Sequence, residues 1–129
     1  MNSSPPPNVG HIDWHDLTVE NADEVRDFYK EVVGWTVSNV SMGDYNDYCM
    51  NAPTDDSPVA GVCHALGVNA DVPPMWVMYV TVEDIKVSLD KCEQLGGKRI
   101  TKLRSSPQGS YCVIADPAGA VLALFQPVG

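Results

Sequence analysis

The 129-residue sequence is poor in positive charge: eight Lys and Arg stand against 17 Asp and Glu, a formal charge of −9 with His neutral. Sequence-independent binding to phosphate backbones or anionic lipid headgroups depends on clustered cations. Nucleic acid and membrane surfaces are therefore not expected partners. Nor does any run approach the roughly 20 apolar residues that span a bilayer. The opening Met-Asn-Ser-Ser-Pro-Pro-Pro-Asn lacks the basic start and apolar stretch of a secretory signal. Residues 1–9 read as a disordered polar tail, and the expected location is cytoplasmic. A Gly-rich phosphate loop is also missing, because Gly96-Gly97 ends an apolar-periodic segment instead of starting one. Cys49, Cys63, Cys92 and Cys112 form no C-x-x-C pair, which argues against a zinc framework and for reduced core thiols.

What is present suits one compact domain: 44% hydrophobic and 19% charged residues can bury an ordinary core. Half of the basic residues fall in one run, Lys98, Arg99, Lys102 and Arg104. That run reads as a charged strand that resists edge-to-edge pairing, with an anion site as the alternative.

The chain is also one unit written twice. Leu17-Thr18-Val19-Glu20 returns as Val80-Thr81-Val82-Glu83, 63 residues later, and Gly34 returns as Gly97 at the same offset. In the first copy a strand over 11–19 leads to Asn21 as helix cap, with Glu24 completing a capping box. Val25, Phe28, Tyr29, Val32 and Val33 then follow at helical spacing, and Gly34 supplies a left-handed stop. The second copy repeats the order with a strand over 76–82, Asp84 as cap, a stripe of Ile85, Leu89, Cys92 and Leu95, and the Gly96-Gly97 stop. Three short strands are predicted after each helix, over 35–40, 45–50 and 58–64, then over 98–103, 110–115 and 120–126. The expectation is an α+β fold: tandem βαβββ modules forming a curved, mostly antiparallel eight-stranded sheet, with helices outside and a concave cleft. Module one covers about 10–64, a linker 65–75, and module two about 76–127, together one domain over 10–129.

Several of these segments resemble a known family. They are Trp14-His-Asp-Leu-Thr, the helix ending Phe28-Tyr29-Lys-Glu-Val-Val-Gly-Trp35, the tract after Leu95, and the closing Asp116-Pro-Ala-Gly-Ala-Val-Leu-Ala-Leu-Phe-Gln126. With the repeat, they resemble the vicinal oxygen chelate superfamily, which includes glyoxalases, bleomycin resistance proteins and extradiol dioxygenases. The resemblance implies a homodimer and, in the family's enzymes, His, Glu or Gln on the first and last strands of each module holding a divalent cation. Counted from the strand-to-helix junctions, those positions fall on Trp14 and near Gly61 in module one, and on Val77 and Ala123 in module two. None of these side chains ligates a metal, so no cofactor is expected.

By strand alternation, Leu17 and Val19 face the helix, while Trp14, Asp16 and Thr18 face the cavity with Val77, Tyr79 and Thr81. Asp16 is the candidate catalytic residue, either a hydrogen-bond acceptor for substrate or a general base; the structural alternative is an internal bond to Tyr79, Thr81 or a backbone N–H. Trp14, Thr18, Tyr48, His64, Trp76 and Tyr79 are the candidate ligand-binding residues, the aromatics as walls for a flat or apolar molecule. Cys63 and His64 are adjacent on one strand and point to opposite faces, so they do not form a nucleophile and base pair.

The leading reading is a protein that binds a small organic molecule without the family's usual metal site. One alternative is a metal-dependent lyase, isomerase or dioxygenase in which a bulge turns His15 inward to join His64 and a carboxylate, Asp16, Asp13 or Asp47. Another is a non-catalytic subunit with a vestigial cleft.

Overall fold

The computed structural model describes residues 8–128; most of the tail expected over residues 1–9 lies outside them. Nine strands and two α-helices are found among the described residues. In chain order they are β1 (Ile12–Val19), α1 (Ala22–Val33), β2 (Thr36–Ser41), β3 (Asn46–Asn51), β4 (Pro58–His64), β5 (Trp76–Thr81), α2 (Ile85–Gln94), β6 (Lys98–Arg99), β7 (Arg104–Ser106), β8 (Gly109–Ala115) and β9 (Val121–Pro127). No helix among them is long and apolar enough to cross a membrane. The fold is α+β, a βαβββ half followed by a half of the same plan with one strand more, and the described residues separate into two compact units, 14–76 and 8–13 with 77–128.

Within residues 14–76 the strand order is β2-β3-β4-β1, with β1 parallel to β4 and the other neighbours antiparallel. One face of these strands packs on α1: Leu17, Val19, Tyr48, Met50, Ala60 and Val62 form a buried cluster with Ala22, and Val25 and Tyr29 close over it. Only part of the helical stripe reaches this core. Phe28 and Val32 are 56% and 65% exposed.

The second unit repeats the plan. β5 runs parallel to β9, β9 pairs with β8, and β8 carries both β6 and β7. Ile85 and Leu89 of α2 pack on Cys112, Ile114 and Leu124. The segment before β1 joins this unit: Gly10 N donates to Thr81 O at 2.8 Å and Thr81 N to His11 O at 3.0 Å. The duplication survives in the register. Asp16 pairs with Gly61 on β4, and Tyr79, 63 positions after Asp16, pairs with Ala123 on β9, 62 positions after Gly61.

Two local expectations are corrected. The single strand expected over 98–103 is broken, which is why nine strands stand where eight were predicted. Ile100 N and Thr101 N both donate to Val113 O, at 2.8 and 3.2 Å, so two residues oppose one. The Thr101 hydroxyl then stands in for a main-chain acceptor, taking the Val113 N–H at 3.0 Å. The capping box on α1 is also absent: Asn21 is the N-cap but its side chain accepts no backbone N–H, and its amide donates to the Glu24 carboxylate at 3.1 Å. Asp84 caps α2 as expected, accepting from Lys86 N and Val87 N. Gly34 closes α1 in the left-handed region at φ 86°.

The two caps can therefore be separated by measurement. Asp84→Ala should lower unfolding stability by about 1 kcal/mol and Asn21→Ala by clearly less, since only the first removes a side-chain to backbone bond. Urea denaturation of both variants checks this, and equal losses would contradict it.

Candidate functional site

The face of the first unit turned away from α1 is set by β1 and β4. Leu17 and Val19 commit one side of β1 to the helix, so Trp14, Asp16 and Thr18 lie on the other. The Trp14 indole N–H donates to Asp16 Oδ1 at 2.5 Å, an i to i+2 contact along one face. Asp16 lies against Gly61, its register partner: a Cβ on residue 61 would collide with Asp16 Oδ1, and the Trp14 Nε1 would be 3.6 Å from it. Glycine at 61 is thus what lets the carboxylate sit across the β1–β4 pair.

Cys63 follows on the same face. Burial, and the nearby carboxylates of Asp16 and Asp47, push its thiol far above the ordinary range, so it stays a protonated thiol. Burial also raises the Cys49 thiol, with Asp16 adding to the shift. Neither sulfur is poised as a nucleophile.

His64 takes the opposite side, at the end of β4. Its backbone N–H donates to Asp47 Oδ1 at 2.8 Å, and its ring Nδ1 lies 3.3 Å from the same oxygen. Ring Nε2 lies 3.4 Å from Asp23 Oδ1, in the first turn of α1. Tyr45 packs edge-on to the imidazole with centroids 5.3 Å apart. The Tyr48 hydroxyl donates to Asp23, which together with burial raises that phenol above its ordinary value, and Arg26 caps the ring at 4.5 Å.

These placements divide the expected site residues. Trp14, Asp16 and Thr18 share the helix-free face of the first unit. Tyr79 lies on the corresponding face of the second, its ring 6.3 Å from Tyr111. Tyr48 and Trp76 do not wall that face. Tyr48 is buried among the residues beneath α1, paired with Val62, and Trp76 donates to the Tyr29 hydroxyl at 3.1 Å while packing on Tyr29 and Trp35. Both aromatics serve the helix-side core because their strand parity follows that of its aliphatic residues.

His15 and His64 are not brought together. His64 is level with Val19 in the parallel register, and His15 is four residues back along β1, about 13 Å away at the rise of a strand. His15 is exposed and on the face of Leu17, so no bulge has turned it inward. Among the described residues no three His, Cys, Asp or Glu side chains form a group that could hold a metal ion.

The family model for the Glyoxalase/Bleomycin resistance protein/Dioxygenase superfamily matches residues 9–124. The chain belongs to this superfamily. Among curated relatives, the anthracycline biosynthesis protein DnrV of Streptomyces peucetius is 28% identical over 117 residues, 91% of this chain and 42% of that protein. The chain thus spans less than half the length of the curated relatives it matches. Among solved structures, a methylmalonyl-CoA epimerase from Mycobacterium tuberculosis superposes with a TM-score of 0.59 at 12% identity, over 98% of this chain and 95% of that one. The hypothetical protein BH1468 from Bacillus halodurans reaches 0.61 at 9% identity, over 93% and 96%. At such identities these superpositions speak to the superfamily's fold.

The resemblance places the metal ligands of the superfamily's enzymes on the first and last strands of each half. Here the positions assigned to them hold Trp14, Gly61, Val77 and Ala123. Indole offers only an N–H donor, and the other three offer no side-chain donor atom, so this set does not fit a divalent cation. Strand periodicity places Asp16; Arg104 and Tyr111, paired across β7 and β8, share the helix-free face of the second unit, where the sequence offered Arg104 only as part of a basic run and Tyr111 not at all.

The raised thiols and phenol carry a pH consequence. Each keeps its proton in the folded chain at a pH where the unfolded chain gives it up. Stability is therefore undiminished below the ordinary thiol value of 9.0 and falls as pH rises above it. At pH 10, Cys63 alone should cost about 1.4 kcal/mol. Denaturant midpoints at pH 7.5 and 10 should differ accordingly for the wild type, and less for Cys63→Ala; a flat profile would contradict the burial of the thiol.

Proposed function

We propose that this chain binds a small organic molecule on the helix-free face of its first unit, through Trp14, Asp16 and Thr18, and that it does so without the superfamily's metal. The observation that carries this reading is the pairing of Asp16 with Gly61. At the point where a metal-dependent member would present a ligating side chain from the last strand, this chain has no side chain, and the Asp16 carboxylate occupies the space. Asp16, held by the Trp14 indole, is an acceptor fixed in position by a neighbour on its own strand. A carboxylate has lone pairs on both oxygens and accepts several hydrogen bonds at once, so it can also take a hydroxyl or N–H of a ligand. The Trp14 ring offers apolar area beside it. The name of the Streptomyces relative, tied to anthracycline biosynthesis, favours an organic ligand over a macromolecule.

We further propose a homodimer in the cytoplasm. The exposed apolar side chains of α1, Phe28, Val32 and Val33, support a self-association surface. Light scattering after gel filtration should give about twice the 14.0 kDa chain mass, and Val32→Glu should shift it toward the monomer.

The ligand reading is tested by thermal melts and metal analysis together. Mn²⁺, Ni²⁺ and Zn²⁺ should leave the midpoint unchanged. A panel of flat uncharged quinones and aromatic ketones should contain compounds that raise it, by about 2.7 kcal/mol of stabilisation at a hundredfold excess over Kd. Trp14→Ala and Asp16→Ala should abolish that response. Stoichiometric metal that disappears in both His15→Ala and His64→Ala would instead establish the metal-dependent reading. A panel without any effect would favour a vestigial binding face.

A further inference from the structure

Within residues 77–128, one row of side chains crosses the sheet on the face turned away from α2. Thr81 on β5 pairs with Phe125 on β9, Phe125 with Tyr111 on β8, and Tyr111 with Arg104 on β7. Directly paired residues point to the same side of a sheet. Their neighbours confirm the side: Leu103, Cys112 and Leu124, each adjacent in sequence to a member of this row, pack on the α2 core. Tyr79 stands one step along this face, its ring 6.3 Å from that of Tyr111 at an interplanar angle of 56°. Between them Ala123 contributes only a methyl group, opposite Val113.

Arg104 ends this row, half-buried. Its Nε is the one buried side-chain nitrogen or oxygen among the described residues that has no hydrogen-bond partner. A guanidinium N–H withdrawn from water and left unmatched bears its full desolvation cost. The rest of the basic run behaves differently. Arg99 pairs with Glu93 at 3.2 Å and Asp90 at 3.6 Å, and Lys98 and Lys102 are exposed. Arg104 is thus set apart from the strand charges around it by position and by an unmet donor.

We propose that Arg104 and the Tyr79–Tyr111 ring pair form a binding site for the carboxylate of a small aromatic acid. The planar guanidinium presents Nε–H and one Nη–H as a parallel fork that matches two carboxylate oxygens. The tyrosine rings beside it offer apolar surface to a flat body. A monoanion suits a chain of charge −9, which would repel a ligand carrying several negative charges. The inference rests on the reading above in taking the helix-free faces as ligand-binding surfaces, but it uses different residues and a different probe.

The test uses sodium benzoate, with benzyl alcohol as its uncharged counterpart, on the full chain labelled with ¹⁵N. Benzoate at millimolar concentration should shift the Arg104 Nε–H cross-peak saturably, assigned by its loss in Arg104→Lys. Benzyl alcohol should bind at least about tenfold more weakly, and Arg104→Lys should weaken benzoate binding by about the same factor. Arg104→Met should keep or raise the melting midpoint without ligand, because the unmet donor is gone, while losing the benzoate response. A merely structural arginine would give the reverse: a lower midpoint with benzoate binding retained. That result overturns the proposal, as do an unmoved Arg104 cross-peak, equal binding of benzyl alcohol, or an equal response to inorganic phosphate, which would mean an adventitious ion only. If uncharged quinones still stabilise the wild type and not Trp14→Ala, the ligand face of the first unit stands and only the Arg104 site falls.

Discussion

The parallel pairing of β1 with β4 is the constraint from which the first unit follows. Leu17 and Val19 must reach Ala22, Val25 and Tyr29 of α1, and that need fixes the facing of every other side chain on β1. Asp16 is thereby forced to the helix-free face. A carboxylate placed there requires an acceptor's environment and room, which come from the Trp14 indole and from the missing side chain at Gly61. One hydrophobic demand on the helix side thus determines the chemistry available on the other.

His64 shows the same economy at the end of β4. Asp47 Oδ1 faces both the backbone N–H and the ring Nδ1 of His64, and the other ring nitrogen turns to Asp23 on α1. Tyr48 reaches the same Asp23 oxygen from beneath the helix. The cluster ties the first turn of α1 to β3 and β4 through polar groups where the apolar core thins out. An imidazole held this way is a tie between elements, which explains why a histidine near an expected ligand position lies away from the helix-free face.

Much of the fold was legible because its signals are local and repeated. The 63-residue offset, the alternation around Leu17 and Val19, the cap at Asp84 and the stop at Gly34 each follow from short-range chemistry, and all appear in the structure. Facing was legible where aliphatic residues alternate next to the helix junction, as Leu17 and Val19 do on β1. Trp76 alternates with Val77, Tyr79 and Thr81, so parity alone puts it on the helix side, and Tyr48 shares parity with the buried Met50; aromatic character by itself is no guide to facing. The N-cap at Asn21 looked like the one at Asp84 in sequence, yet its amide found Glu24 before it found a backbone N–H. Arg104 stands in the basic run whose alternative reading is an anion site, but its facing was not legible: it follows an interruption in its strand, and parity counted through a bulge is lost.

That interruption also bears on how the two halves could drift apart. Thr101 lets a hydroxyl fill a gap in the ladder, so the outer strands of the second half break and restart while Tyr79 still meets Ala123 as Asp16 meets Gly61. The one-residue difference between the offsets, 63 on the first strands and 62 on the last, is absorbed outside those two pairs. The inner strands of a duplicated unit can therefore keep their ancestral correspondence while the periphery accepts insertions and deletions, leaving the two faces free to specialise for different chemistry.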